Sequence, residues 1–336
     1  MTVHQPKMEA SESTISSLRP NLSLANHLTF GYHRGGWAYA LEALQPLMKG
    51  DGVILDSFVE ATFCWDLQKN EESGKLPYRR DWIAFIHNPP GIPTWHEFES
   101  APQSIMNLPA WRESQPYCRG VFVFSKTMAS WLQPRIDVPV AVAIHPSEPP
   151  NRCFSMEDFL ANPARRIIQI GSWLRRLHSI TRLKTRMQKA LLSPRPAPDP
   201  RLRLLLQKEA DHDSSARNAD WSSVEFLAYQ PADDYDRLLT NNIVFLDLYD
   251  TVVNNTVLEC IMRRTPVVCN RLPSLEELLG PDYPLFFCDL EEAAVKADDL
   301  ELIEKAYRHL SAIPQETFSQ TNFRNSVANC DIYRSL

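Results

Sequence analysis

The chain has 336 residues, 44% hydrophobic and 23% charged, and its 35 lysines and arginines against 41 aspartates and glutamates leave a formal charge of −6. That balance excludes extensive disorder and argues against a nucleic-acid-binding surface, and the length suits two domains that each bury a core. No apolar run is long enough to span a bilayer and the N-terminal stretch lacks the apolar centre of a secretory signal, so no membrane span and a cytoplasmic location are expected. The seven cysteines are odd in number and show neither CxxC nor a Cys/His cluster; they read as small buried side chains in a reducing compartment, with no zinc framework.

Residues 1–22 read as a disordered tail. His27–Tyr32 predicts a first strand, followed by His33, Arg34, Gly35, Gly36 and Trp37 and then a helix over 38–48. Two glycines between strand and helix permit close approach of a ligand or of a second domain, although turn chemistry alone also explains them. Gly52–Val59 predicts a second strand and Lys69–Arg80 a polar surface loop. Trp82–Ile86 predicts a third strand that runs straight into His87, Asn88 and the proline loop ending at Trp95, His96 and Glu97. An imidazole at a strand's carboxyl end titrates near neutrality and suits a general base for a hydroxyl; tying down the loop backbone is the competing role for His87. Trp95 is placed either to stack on a sugar or to pack. Helix 111–118, strand 120–124, a helix capped by Ser125 and strand 138–144 complete this half. The prolines after His145 mark a linker and put the boundary between 150 and 162.

The second half opens with a strand and glycine turn, Arg166–Gly171, followed by Arg175 and Arg176. A guanidinium fork pairs well with phosphate oxygens, whereas a solvated basic face shared with Arg182, Lys184, Arg186 and Lys189 is the plain alternative. Residues 191–221 form the least ordered interior stretch around a helical piece, 202–210. The triplet Asp211-His212-Asp213 follows no apolar strand, so it is not read as a metal site. Strand 223–227 and a helix from Pro231 with an acidic first turn follow.

The most informative stretch is 243–287. Strand 243–248 ends in Asp250 and Thr251; Asn254, Asn255 and Thr256 then open a helix to Arg263, and strand 266–269 follows. Strand, polar turn, helix and strand make a parallel βαβ unit, whose ligands sit beyond the strand carboxyl ends and whose helix amides seat phosphate. Glu259 stands on that helix within reach of a ribose diol. A short helix over 273–279, an edge strand in 280–287 and one amphipathic helix over 290–310 complete the pattern.

The run containing VLEC and TPVV resembles the nucleotide-sugar site of GT-B glycosyltransferases. In the common retaining branch two glutamates stand eight positions apart there; Glu259 matches the second, and position 251 is threonine with Asp250 beside it. The resemblance implies an α/β fold of two Rossmann-like domains facing across a cleft, 23–155 for the acceptor and 156–312 for the nucleotide sugar. Residues 313–336 would form a tail crossing back to the first domain. It implies a metal-independent glycosyltransferase that needs no cofactor and takes a UDP- or GDP-sugar as co-substrate. Donor contacts would come from Arg175, Arg176, Asp250, Asn254, Asn255, Thr256 and Glu259, acceptor contacts from Gly35, Gly36, Asn88 and Trp95, and a base from His87 or His33. Retention and inversion both stay open, as do the acceptor and the oligomeric state. A catalytically silent nucleotide-sugar-binding partner of another enzyme is the alternative.

Overall fold

A computed structural model describes residues 20–26, 36–193, 195 and 199–336. The strand expected at His27–Tyr32, with His33 and Gly35, lies outside the described residues. Two parallel sheets succeed one another along the chain. The first holds β1 (Leu22–Leu24), β2 (Val53–Asp56), β3 (Trp82–Phe85), β4 (Cys118–Val123) and β5 (Val140–Val142), side by side in that order. The second holds β6 (Arg166–Ile170), β7 (Gln188–Leu192), β8 (Val224–Leu227), β9 (Ile243–Leu246), β10 (Val267–Asn270) and β11 (Phe286–Phe287). Its order is β11-β10-β9-β6-β7-β8, with every pairing parallel. Helices cover both faces of such sheets, which is why the central strands β3 and β9 are unbroken apolar runs with every residue buried.

The strand order reverses between β6 and β9. Chain leaving these two neighbours departs in opposite directions, so a crevice opens beyond their carboxyl ends. Each sheet has its own core, the first around Trp82, Phe85 and Phe122 and the second around Ile168, Phe245 and Val268. The final helices, Gln320–Ala328 and Asp331–Arg334, bring Phe323, Val327 and Ile332 into the first core, and Gln320 donates to the Tyr39 carbonyl at 3.0 Å. No helix among the described residues is long and apolar enough to cross a membrane.

Several local expectations change: Leu22, read as part of a disordered tail, is a buried residue of β1, and 188–192, read as the end of a basic face and the start of the least ordered stretch, is the strand β7. The stretch read as a loop from Lys69 begins inside a helix, Leu67–Glu72. The single helix expected over 290–310 is two, Leu290–Asp298 and Leu300–Ala312. Asp299 leaves helical geometry between them and its carboxylate accepts from the amides of Glu301 (2.9 Å) and Leu302 (3.1 Å), so capping overrides an otherwise continuous apolar period.

The helix following β9, Asn255–Arg263, is buried at every position after Asn255, and its last residue is a fully buried arginine. Arg263 donates Nε to Asp236 Oδ1 at 2.9 Å, and Asp236 belongs to the neighbouring helix Ala232–Thr240. Its Nη1 donates to the Glu259 carbonyl at 3.2 Å. A buried pair repays its desolvation only while both members are present. Asp236→Ala is therefore expected to cost about 3–5 kcal/mol in urea denaturation, and Asp236→Leu with Arg263→Met to recover most of it. A loss under about 1 kcal/mol in the single variant would show that the pair does not hold these helices together.

Candidate functional site

A cavity of about 590 Å³ occupies the crevice at β6 and β9 and reaches across to the first sheet. Its second-domain wall is the loop after β6, Gly171–Arg175, together with 250–256 after β9; its first-domain wall includes Trp37, Phe58, Trp65 and 87–89.

The chain leaves β6 through Gly171 at φ +78° and Leu174 at φ +53°, a path that folds Arg175 back over the glycine. A Cβ at Gly171 would stand 2.9 Å from Arg175 Nη2, so only glycine permits this return. Arg175 donates Nε to the Ile170 carbonyl (3.2 Å), Nη1 to the Trp173 carbonyl, and Nη2 to Thr256 Oγ1 (3.2 Å) and Asn254 Oδ1 (3.5 Å). Every acceptor is neutral, and among the described residues no carboxylate stands within ion-pair distance of this guanidinium. Burial lowers its pKa to about 10, which leaves it charged. Asn254 also caps the helix, accepting from the Val257 amide at 3.2 Å. Arg175 thus converges with a helix N-terminus on one wall of the cavity, the arrangement that suits an anion.

Arg176 points elsewhere. It donates to Asp247 Oδ1 (2.9 Å) and the Leu248 carbonyl (2.6 Å) and lies 4.5 Å from the centre of the Tyr249 ring, away from the cavity. Glu259 is 1% exposed and does not itself line the cavity; it accepts at 2.6 Å from the hydroxyl of Tyr235, which does. Asp250 joins the two halves: its Oδ2 accepts from the Gly91 amide and its Oδ1 from the Thr251 amide, both at 2.8 Å. A Cβ at Gly91 would lie 2.5 Å from Asp250 Oδ2, so the close approach again needs glycine. Asn255 and Thr256 line the cavity as expected of the helix start.

On the first domain, Gly36 caps the helix Trp37–Leu44 and so presents Trp37 to the cavity. Asn88 lines it too, but its side-chain amide donates to the Ser100 carbonyl (3.1 Å) and Ser100 Oγ (2.9 Å). Trp95 lies outside the cavity, stacked on His212 (5.3 Å between ring centres) and edge-on to Tyr249, where it packs one domain on the other. Glu97 pairs with Arg201 at 3.1 Å across the same junction. His33 and Gly35 lie outside the described residues.

His87 lines the cavity with its Nε2 3.0 Å from the Ser57 carbonyl, which places the proton on Nε2. Its ring stacks on Phe58 at 3.8 Å and meets Trp37 edge-on at 4.5 Å. Burial lowers its pKa to about 3, and that of His145, whose Nδ1 donates to the Pro146 carbonyl, to about 4. Bases this weak take a proton poorly near neutrality. Beneath them Glu60, 0% exposed, accepts from the amides of His87 (2.8 Å) and Asn88 (2.7 Å) and so holds the loop after β3. Burial outweighs those two hydrogen bonds and raises the Glu60 pKa to about 7. Asp213 of the rejected triplet caps a turn, accepting from the Ser215 amide at 2.8 Å. Among the described residues no group of three or more histidines, cysteines, aspartates or glutamates is placed to hold a metal ion.

Sequence reading missed Phe58, Trp65 and Tyr235. The apolar run ending at Asp56 is a strand end like β3 and β9, and the carboxyl-end rule applied there points to Phe58. Nothing local marks Tyr235, whose importance comes from Glu259 in the next helix.

No protein-family model and no curated protein matches the chain. Solved structures do. Sucrose-phosphate synthase from Thermosynechococcus elongatus superposes with a TM-score of 0.56 at 12% identity, over 89% of this chain and 76% of that one. The UDP-forming α,α-trehalose-phosphate synthase from Burkholderia vietnamiensis gives 0.52 at 14%, over 89% and 77%. S. aureus TarM, in complex with fondaparinux, α-GlcNAc-glycerol and UDP, gives 0.54 at 11%, over 88% and 58%. At these identities the likeness concerns the fold: the chain has the GT-B arrangement of two Rossmann-like domains.

Because the Glu60 carboxyl has a raised pKa, its stabilising contribution is complete below its ordinary value of 4.5 and is lost as the pH rises through about 7. Glu60→Gln keeps an acceptor for the two amides and removes the titration. Relative to the parent, the variant should gain about 3 kcal/mol in urea denaturation between about pH 4 and pH 8. Parallel stability curves across that range would show that this carboxyl does not titrate in the folded protein.

Proposed function

We propose that the protein is a glycosyltransferase that uses a nucleoside diphosphate sugar of the UDP class. The donor would lie in the second-domain half of the cavity and the acceptor would enter from the first-domain half. The observation that carries this reading is the Arg175 guanidinium, turned back over Gly171 and held by Asn254 and Thr256 beside the start of the helix Asn255–Arg263. A diphosphate is the ligand whose charge and forked oxygens suit that fork and those amides. When the bond between the anomeric carbon and the diphosphate oxygen breaks, negative charge grows on that oxygen, and Arg175 with the helix amides stabilises it. These fixed positive groups support a reaction that does not require a metal. The names of the similar structures, one UDP-forming and one bound with UDP, favour UDP over GDP.

The acceptor must lose a proton as its oxygen attacks. His87 was the expected base, but with a pKa near 3 and its Nε2 proton engaged by the Ser57 carbonyl it is better suited to shaping the wall. Transfer to a departing phosphate oxygen held by Arg175 needs no separate base and accompanies retention of configuration; His33 stays the candidate for an inverting route. The weak imidazoles also favour one second reading, a nucleotide-sugar-binding protein without turnover. Release of UDP from UDP-glucose in the presence of sugar acceptors separates the two.

By calorimetry, Arg175→Ala should weaken UDP binding by about 10- to 100-fold, the scale of a lost charged hydrogen bond. Arg176→Ala, whose guanidinium faces Asp247, should leave it within about twofold. Chelation with EDTA should leave it unchanged. Equal losses in the two arginine variants, or UDP binding that disappears with EDTA, would sink this assignment.

A further inference from the structure

A buried acid behind the second-domain wall has no part in the site as described so far. Glu209 stands in the last turn of the helix Pro200–His212 and is 1% exposed. A carboxylate taken out of water is costly, and one near a helix C-terminus meets the negative end of the helix dipole. Nothing local compensates it; the compensation is tertiary. Its Oε1 accepts from the Leu177 amide at 3.0 Å and the Tyr249 hydroxyl at 2.9 Å, and its Oε2 from the His178 amide at 3.1 Å. The His178 ring adds Nδ1 at 3.1 Å from Oε1, and its Nε2 lies 3.2 Å from Ser215 Oγ. These donors come from the two loops that build the second-domain wall. Leu177 and His178 end the loop that begins at Gly171 and carries Arg175, while Tyr249 directly precedes Asp250 in the loop that leads to Asn254. The two loops also lie against each other. The Tyr249 amide donates to the Leu174 carbonyl at 2.9 Å and the Arg176 amide to the Asp247 carbonyl at 2.7 Å, so that Arg175 and Leu248 form an antiparallel bridge. One carboxylate thus fastens both sides of the bridge from behind. The helix that presents it is itself fixed, with Leu202 and Leu205 in the second core.

We propose that Glu209 is a positioning residue for the anion site: by fastening the two loops it holds Arg175 beside the helix start at Asn254–Thr256 in the arrangement that receives a diphosphate. This inference deepens the glycosyltransferase reading and rests on it for the identity of the anion. Glu209 does not line the cavity, so it acts on a ligand only through the residues it places. Arg175 stands two residues before Leu177, and its own backbone is part of the bridge. A charged group already in place binds without first being ordered, so the contribution of Glu209 is pre-organisation and is read as affinity.

Two measurements test it. Without ligand, hydrogen exchange of the backbone amides in 171–178 and 247–256 should quicken in Glu209→Ala relative to the parent. Glu209→Gln, which keeps an acceptor oxygen for part of the set, should fall between them. With UDP as the probe, calorimetry should find binding about tenfold weaker in Glu209→Ala. The same change made in an Arg175→Ala background should cost less than about twofold, because a residue that acts through Arg175 has nothing left to place. Tyr249→Phe removes one hydroxyl and keeps the ring; it should weaken UDP about threefold with the same dependence on Arg175, and it decides the question if Glu209→Ala does not fold. Equal losses of affinity with and without Arg175, or unchanged exchange in both loops, overturn the proposal. A parent that does not bind UDP overturns the donor reading instead, and the exchange measurement then still decides whether Glu209 holds the two loops.

Discussion

A guanidinium taken out of water demands compensation, and at Arg175 the protein supplies hydrogen bonds to carbonyls, a hydroxyl and an amide oxygen. Much of the local architecture follows from that arrangement. Gly171 must lack a side chain for the arginine to fold back, and Leu174 must accept a left-handed backbone to deliver it. Asn254 serves the arginine and the first turn of the helix at once. The positive charge is thereby fixed where two parallel strands diverge, which is where a doubly wound sheet leaves room for a ligand. Glu259 and Tyr235 favour the Arg175 charge through space, while its hydrogen bonds to neutral groups only partly replace hydration.

The second constraint is that both domains must contribute to one cavity. The junction combines an apolar cluster, Ile92 and Ala101 against Leu174, with specific polar contacts. Asp250 reaches Gly91, Arg201 meets Glu97, and the Glu277 carboxylate accepts from the amides of Lys126 (2.6 Å) and Thr127 (2.7 Å). Contacts of this kind can break and reform at modest cost, in contrast to the buried pair of Arg263 and Asp236 inside the second domain. The buried pair thus ties two helices inside the second domain, while the polar contacts at the junction are more exposed.

How much of this could be read beforehand depends on how local each cause is. The unit from β9 to β10 was legible because an apolar run, a polar turn, an Asn cap and a second apolar run are all written within about thirty consecutive residues. Arg175 was legible as one of two adjacent arginines, but the choice between them was not. Arg176 is claimed by Asp247 from the neighbouring strand's loop, and that pairing exists only once β6 and β9 lie side by side. Glu259 illustrates the same limit. Its spacing put it on the right helix and turn, while Tyr235, on the preceding helix, decides that its carboxylate is covered. Trp95 had the residue type of a sugar platform, but it packs on His212 and Tyr249; Trp65 reaches the cavity through a π-helical turn whose ties to Asp56 and Asn70 no periodicity announces.

His87 shows why residue type and position together do not settle a chemical role. It stands at a strand's carboxyl end, on the cavity wall, where a general base would be placed. Its neighbours are Phe58, Trp37 and Phe124, and its Nε2 proton is engaged by a backbone carbonyl. A carboxylate beside the ring would have raised its basicity, as in catalytic pairs, by stabilising the imidazolium. The nearest carboxyl below it, Glu60, instead spends one oxygen on the amides of His87 and Asn88, leaving the ring to its apolar surroundings. Desolvation then wins, and the imidazole stays neutral throughout the physiological range. A neutral flat ring at this point is poorly suited to proton abstraction and packs with Phe58 and Trp37 into the cavity wall. The same burial that lowers the basicity of His87 thus fits it to the apolar part of the cavity wall.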